Sequence, residues 1–82
     1  MSESSGDVRA MVEQIAKALV DQPDQVAVSQ IDGDPTVLEL SVSAGDLGKV
    51  IGRQGRVARA LRSLVAAAGI RLQRRFTLEI LE

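Results

Sequence analysis

The 82-residue chain has no cysteine, no histidine, no tryptophan and no tyrosine, and its one aromatic residue is Phe76. Without cysteine there is neither a disulfide nor a thiolate metal site, and nothing points to secretion. Without histidine the commonest metal ligand and the commonest general base are both missing. Ser29, Ser41, Ser43 and Ser63 therefore have no base to activate them, and no paired carboxylates suggest acid–base chemistry. No enzyme, cofactor or metal is expected. Asp32 and Asp34 could be imagined as calcium ligands, but two carboxylates on a turn are ordinary turn chemistry. Long apolar runs are missing too. Nothing approaches the roughly 18 apolar residues of a membrane span, and Met1 to Gly6 is polar, so a cytoplasmic protein is expected. One domain of this size buries only about 60–70% of its extended surface, which leaves room for a stabilising oligomeric contact.

Acidic charge is missing where basic charge is dense. The net charge of −1 hides eight acidic and two basic residues in 1–42, against three acidic and eight basic in 43–82. From Lys49 to Arg75 there are eight basic residues and no acidic one. That run fits a polyanion partner better than simple solvation, with Arg62, Arg71, Arg74 and Arg75 as peripheral positive surface.

The pattern predicts helix, two strands, a helical pair and a last strand. Val8, Met11, Val12, Ile15 and Leu19 recur at helical spacing, Ser4 and Asp7 have capping-box spacing, and Pro23 lies beyond the end. Val26, Val28 and Ile31 read as a strand. Asp32-Gly33-Asp34-Pro35 is a turn, and Thr36, Leu38, Leu40 and Val42 alternate with Val37, Glu39 and Ser41 to complete a hairpin. Ser43 to Asp46 again has capping-box spacing, before a short helix through Leu47, Val50 and Ile51. A longer helix is expected over Arg56 to Ala68, stopped by Gly69, with Ala60, Leu64, Val57, Ala68, Leu61 and Val65 on its buried arc. Gly45 and Gly48 read as a cap and a helix–helix contact. Leu72, Phe76, Leu78 and Ile80 alternate with polar residues in a final strand. Residues 1–5 are expected to be disordered and 6–82 to form the domain. The order α-β-β-α-α-β implies an α+β fold, a three-stranded sheet with helices on one face.

Between the two helices lies Val50-Ile51-Gly52-Arg53-Gln54-Gly55-Arg56. Two glycines three apart let a phosphate approach the main chain, and the following helix aims its unpaired N–H groups and positive dipole end at the same place. Arg53 and Arg56 add side-chain charge. A Walker A loop is excluded, since Gly48-Lys49 is followed by Val50 and not by Ser or Thr.

On Gly48-Lys49-Val50-Ile51-Gly52-Arg53-Gln54-Gly55-Arg56, continued by Ala58, Ala60, Leu61 and Arg62 and by the closing Leu78-Glu79-Ile80-Leu81, the chain resembles a type II KH domain. It is most similar to the small bacterial single-KH proteins of the KhpA (YlqC) family. The resemblance implies a single-stranded RNA-binding protein, an RNA chaperone or post-transcriptional regulator, whose GxxG loop clamps about four nucleotides. Gly52 and Gly55 would permit close approach, Arg53 and Gln54 would face phosphates, and Lys49, Arg56 and Arg59 would widen the basic footprint. Val50, Ile51 and Val57 are the nearest candidates for an apolar base groove and fit ordinary core equally well. By resemblance the other wall would be the second strand, around Val37 to Ser41. The family also implies self-association and pairing with a larger Jag (EloR)-type RNA-binding protein. The alanine-rich side of the Arg56–Ala68 helix is the candidate surface. A KH-fold adaptor that dimerises without binding nucleic acid remains the alternative. With no tryptophan or tyrosine for stacking, binding should be weak and salt-dependent.

Overall fold

A computed structural model describes residues 5–82, with side chains from Asp7 onward. Helix α1 (Ser5–Leu19) leads through a 3-10 turn at Pro23–Gln25 into strands β1 (Ala27–Ile31) and β2 (Thr36–Ser41). A second 3-10 turn, Ala44–Asp46, opens helix α2 (Leu47–Ile51), and a third, Arg53–Gly55, separates α2 from helix α3 (Arg56–Leu72). Strand β3 (Phe76–Ile80) closes the domain. The expected order is therefore present. Ser5 belongs to α1; the rest of the expected disordered tail, and the Ser4 half of its capping box, lie outside the described residues.

The sheet order is β1-β2-β3, with β1 antiparallel and β3 parallel to β2. Period-2 alternation sends Thr36, Leu38 and Leu40 inward at 0% exposure, while Val37, Glu39 and Ser41 lie on the opposite face. Parity explains the one misplaced residue of the hairpin. Val26 and Val28 are buried, whereas Ile31, an odd number of residues on, faces the open side of the sheet and is half exposed. α1 covers β1 and β2, and α3 covers β3, so Val8, Val12 and Ala16 meet Leu38, Leu40, Leu61, Val65 and Leu78 in one core. Thr36 can be buried because its hydroxyl donates to the Gly33 carbonyl at 3.1 Å and accepts from Arg74 Nη2 at 2.9 Å.

α3 departs from expectation in two ways. Its buried face is Ala58, Leu61, Val65 and Gly69, with Val57 and Ala68 half-buried, while Ala60 and Leu64 point outward. Leu61 and Val65 join the core cluster while the helix face turns so that Gly69 meets Arg74 and Phe76, which leaves Ala60 and Leu64 outside. Gly69 is also not the helix stop. The helix runs on to Leu72, which thereby lies outside the last strand, and ends at Gln73 in the left-handed region (φ 58°). A Cβ on Gly69 would stand 2.5 Å from the Arg74 carbonyl oxygen and 3.1 Å from Phe76 Cδ1. The bare position lets the returning chain cross the helix and enter β3.

Candidate nucleic-acid interface

The loop is delivered by α2, and α2 is held by a buried carboxylate. Asp46 is 2% exposed and accepts the backbone N–H groups of Asp21 and Gln22 at 3.2 and 3.0 Å, just beyond α1. Burial alone would raise its pKa. The two backbone donors, with Ser43 Oγ and Lys49, outweigh burial and hold it below its ordinary value. Ser43 thus bonds Asp46 and caps no helix, so the capping-box spacing was put to a different, tertiary use. Gly48 meets nothing: a Cβ there, or on Gly45, would find no atom within 4 Å. The expected helix–helix contact at Gly48 is absent.

Gly52 leaves α2 at φ 77°, ψ 169°, its N–H bonded to the Gly48 carbonyl. Gln54 and Gly55 then adopt left-handed conformations (φ 57° and 74°), and α3 begins at Arg56. Arg59 stabilises this path, donating from Nη1 to the Gln54 carbonyl at 2.9 Å. The role of Gly52 is sharper than phosphate clearance. A Cβ there would lie 2.5 Å from Val57 Cγ2 and 2.8 Å from the Val57 nitrogen, so the protein itself needs the glycine.

The start of α3 has no side-chain cap and no acidic residue in its first turn. It carries Arg56 there instead, against the usual preference for negative charge at the positive end of a helix dipole. The side chains of Arg53, Gln54, Arg56 and Arg59 are all exposed around it, and Arg53 has no partner among the described residues. The N–H groups of Gly55 and Arg56 are already bonded, to the Gly52 and Arg53 carbonyls, so what this exposed turn offers an anion is chiefly the side-chain charge of Arg53, Arg56 and Arg59. Exposed guanidinium groups of this kind are chemically suited to phosphate oxygens, and none of these side chains is a nucleophile or base.

Six of the nine residues expected at the site, Gly52, Arg53, Gln54, Gly55, Arg56 and Arg59, surround this point, and Ile51 lies half-buried beside it with Val57. Two do not join them. Val50 is 0% exposed and is core, because the inward face of α2 is the one that reaches α1 and α3. Lys49 is turned toward acid, with Nζ 3.3 Å from Asp21 and 3.4 Å from Asp46. Hydrogen bonding to Asp21, then to Asp46, raises its pKa and keeps it charged, but as a tie between α2 and the end of α1.

The strand expected to form the second wall is not the one beside α3. Val37 to Ser41 lie in β2, which is flanked by β1 and β3 and cannot border an open groove. The strand beside α3 is the sheet edge β3: Arg62 Nε donates to the Leu78 carbonyl at 3.3 Å. Further along α3 a shallow trough is lined by Ala66 and Ile70 on the helix and by Arg74, Arg75, Phe76 and Thr77 opposite. Sequence reasoning could not tell which strand lies beside α3 because a strand's neighbours depend on sheet order. The basic residues Arg62, Arg74 and Arg75 were the available signal.

The KhpA/KhpB KH-domain family model matches residues 9–80. The RNA-binding protein KhpA of Aquifex aeolicus is 51% identical over 76 residues, covering 92% of this chain and 96% of that protein. That of Halalkalibacterium halodurans is 53% identical over 76 residues, covering 92% and 100%. That of Borreliella burgdorferi is 46% identical over 83 residues, covering 100% of each. Among solved structures, Era in complex with MgGDPNP and nucleotides 1506–1542 of 16S ribosomal RNA shares the fold at TM-score 0.64 and 20% identity. The match covers 89% of this chain and 28% of that one. An Aquifex aeolicus Era variant bound to GDP·AlF4− gives TM-score 0.63 at 20% identity, over 89% and 29%. The family is one of RNA-binding KH domains and not of enzymes. With the α-β-β-α-α-β order, the two-glycine loop between helices and relatives about half identical over nearly their whole length, the chain belongs to the KhpA/KhpB KH-domain family.

Proposed function

We propose that this protein binds single-stranded RNA, gripping the sugar-phosphate backbone with Gly52-Arg53-Gln54-Gly55 and the start of α3, as a small RNA chaperone or post-transcriptional regulator. The observation that carries the reading is the acid-free N-terminus of α3, which no side chain caps, with Arg53, Arg56 and Arg59 exposed beside it in sequence. Ile51 and Val57 supply a modest apolar flank for bases. The relatives' name, RNA-binding protein KhpA, agrees with it. No helix among the described residues is long and apolar enough to cross a membrane, and we assign the protein to the cytoplasm, where such RNA is found. Ala60 and Leu64, exposed on the side of α3 away from the sheet, support self-association or pairing with a Jag (EloR)-type partner. Two linked grips would offset the weakness of one.

Titrating a short single-stranded RNA across salt concentrations tests the grip. Three or four phosphate contacts give a log–log slope of about −2 to −3, at roughly −0.7 per contact on a single strand. A flat response contradicts backbone gripping and leaves the protein-only adaptor as the better reading.

A further inference from the structure

Asp46 is the one charged side chain among the described residues that is buried in the fold. Its two carboxylate oxygens are occupied in the same way. Oδ1 accepts the Asp21 N–H at 3.2 Å and lies 3.4 Å from Lys49 Nζ. Oδ2 accepts from the Gln22 N–H and from the Ser43 hydroxyl, both at 3.0 Å. Each oxygen thus takes one backbone donor from the segment just after α1 and one side-chain donor from the segment that carries α2. Lys49 repeats the link from the other side, with Nζ also 3.3 Å from Asp21 Oδ2. Asp46 stands at the N-cap of α2 but makes no cap bond, because its oxygens face the end of α1. A fold does not need a buried charge for this, since a well-packed apolar replacement of a buried ion pair is often neutral or stabilising. What the carboxylate adds is direction, with four donors holding it in one orientation. α2 is five residues long, too short to hold its own axis in water. Val50 sets its depth in the core, and the Asp46–Lys49 link sets its tilt. Gly52 follows at the other end, roughly 8 Å on at 1.5 Å per residue, so a tilt of α2 carries the loop with it.

We propose that Asp46 and Lys49 are positioning residues for RNA, which touch no nucleotide and set the angle at which α2 presents Gly52-Arg53-Gln54-Gly55. The inference rests on the RNA reading of the loop. It deepens that reading by tying the grip to the end of α1. Lys49 carries the clearest consequence, because its ammonium faces two carboxylates within the protein. To reach a phosphate it would have to strip a buried carboxylate of one donor, a cost that exposed Arg53 does not meet. Charge and positioning also predict opposite signs at the two acids. Asp21 and Asp46 stand at the root of the loop-bearing helix, so by charge alone neutralising either tightens the binding of a polyanion. By holding α2 in place they make the same change weaken it.

The test titrates an eight-nucleotide single-stranded RNA into the full chain across salt concentrations, as wild type, Asp46→Asn, Asp21→Asn and Lys49→Met. Melting curves set a temperature at which each variant is folded. The Asp21 side chain is 78% exposed, so Asp21→Asn decides the sign even where Asp46→Asn melts too low to titrate. Asp46→Asn should lower affinity roughly tenfold and Asp21→Asn roughly two- to threefold, although each removes a negative charge. Lys49→Met should lower it roughly threefold and keep the wild-type log–log salt slope, because no phosphate contact is lost. In RNA-free Asp46→Asn the amides of Gly52, Arg53, Gln54 and Gly55 should shift while those of β1 stay in place, which a loss of stability alone does not produce. Unchanged or tighter binding by the two Asp→Asn variants overturns the proposal and leaves the network a matter of stability. A salt slope shallower by about 0.7 in Lys49→Met puts that ammonium on a phosphate and overturns its positioning role. Failure of the loop reading is distinguishable, since wild type would then not bind the RNA in a salt-dependent way.

Discussion

Changing Arg53 and Gln54 together to aspartate should reduce affinity for a short single-stranded RNA by roughly 100-fold, about 2.7 kcal/mol, and leave the melting temperature equal or raised. Both side chains are exposed and contribute nothing to the core. Gln54 sits at φ 57°, a left-handed conformation that aspartate tolerates better than most residues. Two carboxylates placed just before α3 meet the positive end of its dipole, which favours negative charge by roughly 0.3–1 kcal/mol per group. Stability and binding therefore move in opposite directions. On the proposed reading, the wild-type residues break a local rule of helix design to keep an anion site open. Anisotropy titration and a thermal melt on the same samples check both halves. Unchanged affinity would remove the loop from the site, and a large fall in melting temperature would void the comparison's premise that these residues only serve binding.

Gly52→Ala is expected to be the most damaging single change at the loop, for structural rather than electrostatic reasons. At φ 77°, ψ 169° the residue occupies a backbone region that is essentially glycine's alone, at a cost of roughly 1–3 kcal/mol for other residues. The new Cβ would also stand 2.8 Å from the Val57 nitrogen and 2.5 Å from Val57 Cγ2, and backbone cannot swing aside as a long side chain can. Together these should exceed about 3 kcal/mol, a large part of the roughly 4–12 kcal/mol available to a domain of this size. Gly48→Ala, four residues earlier, is the control. Its Cβ meets nothing within 4 Å inside α2, so it should be neutral or stabilising by up to about 1 kcal/mol. Chemical denaturation of the two variants measures the contrast, and equal stabilities would contradict the account of the loop.

The elements could be read from the chain because local pattern decides them. Thr36, Leu38 and Leu40 declare their strand by alternation, and Val8, Val12 and Ala16 their helix by spacing. The loop was readable for the same reason: its glycines, its arginines and the lack of acid are all contiguous. What depended on distant parts of the chain was not. Gly69 looks like a helix stop until Arg74 and Phe76 are known to cross it. Asp46 looks like half of a capping box until the N–H groups of Asp21 and Gln22, some 25 residues away, are brought to it. Lys49 counts as basic surface until those same turns place Asp21 beside it. Sheet order is equally non-local. Whether β2 or β3 borders the trough depends on a parallel crossover that no short pattern records.

The most direct test of where RNA lies is an amide-resolved NMR titration of the full chain with an eight-nucleotide single strand. The backbone amides of Arg53, Gln54, Gly55 and Val57 should shift most, followed by those along the trough at Ala66, Ile70 and Thr77. Ala27, Ser29 and Ile31, on the open side of the sheet, should stay in place. Shifts gathered on that open side, or on the Ala60 and Leu64 side of α3 with the loop unmoved, would contradict the account.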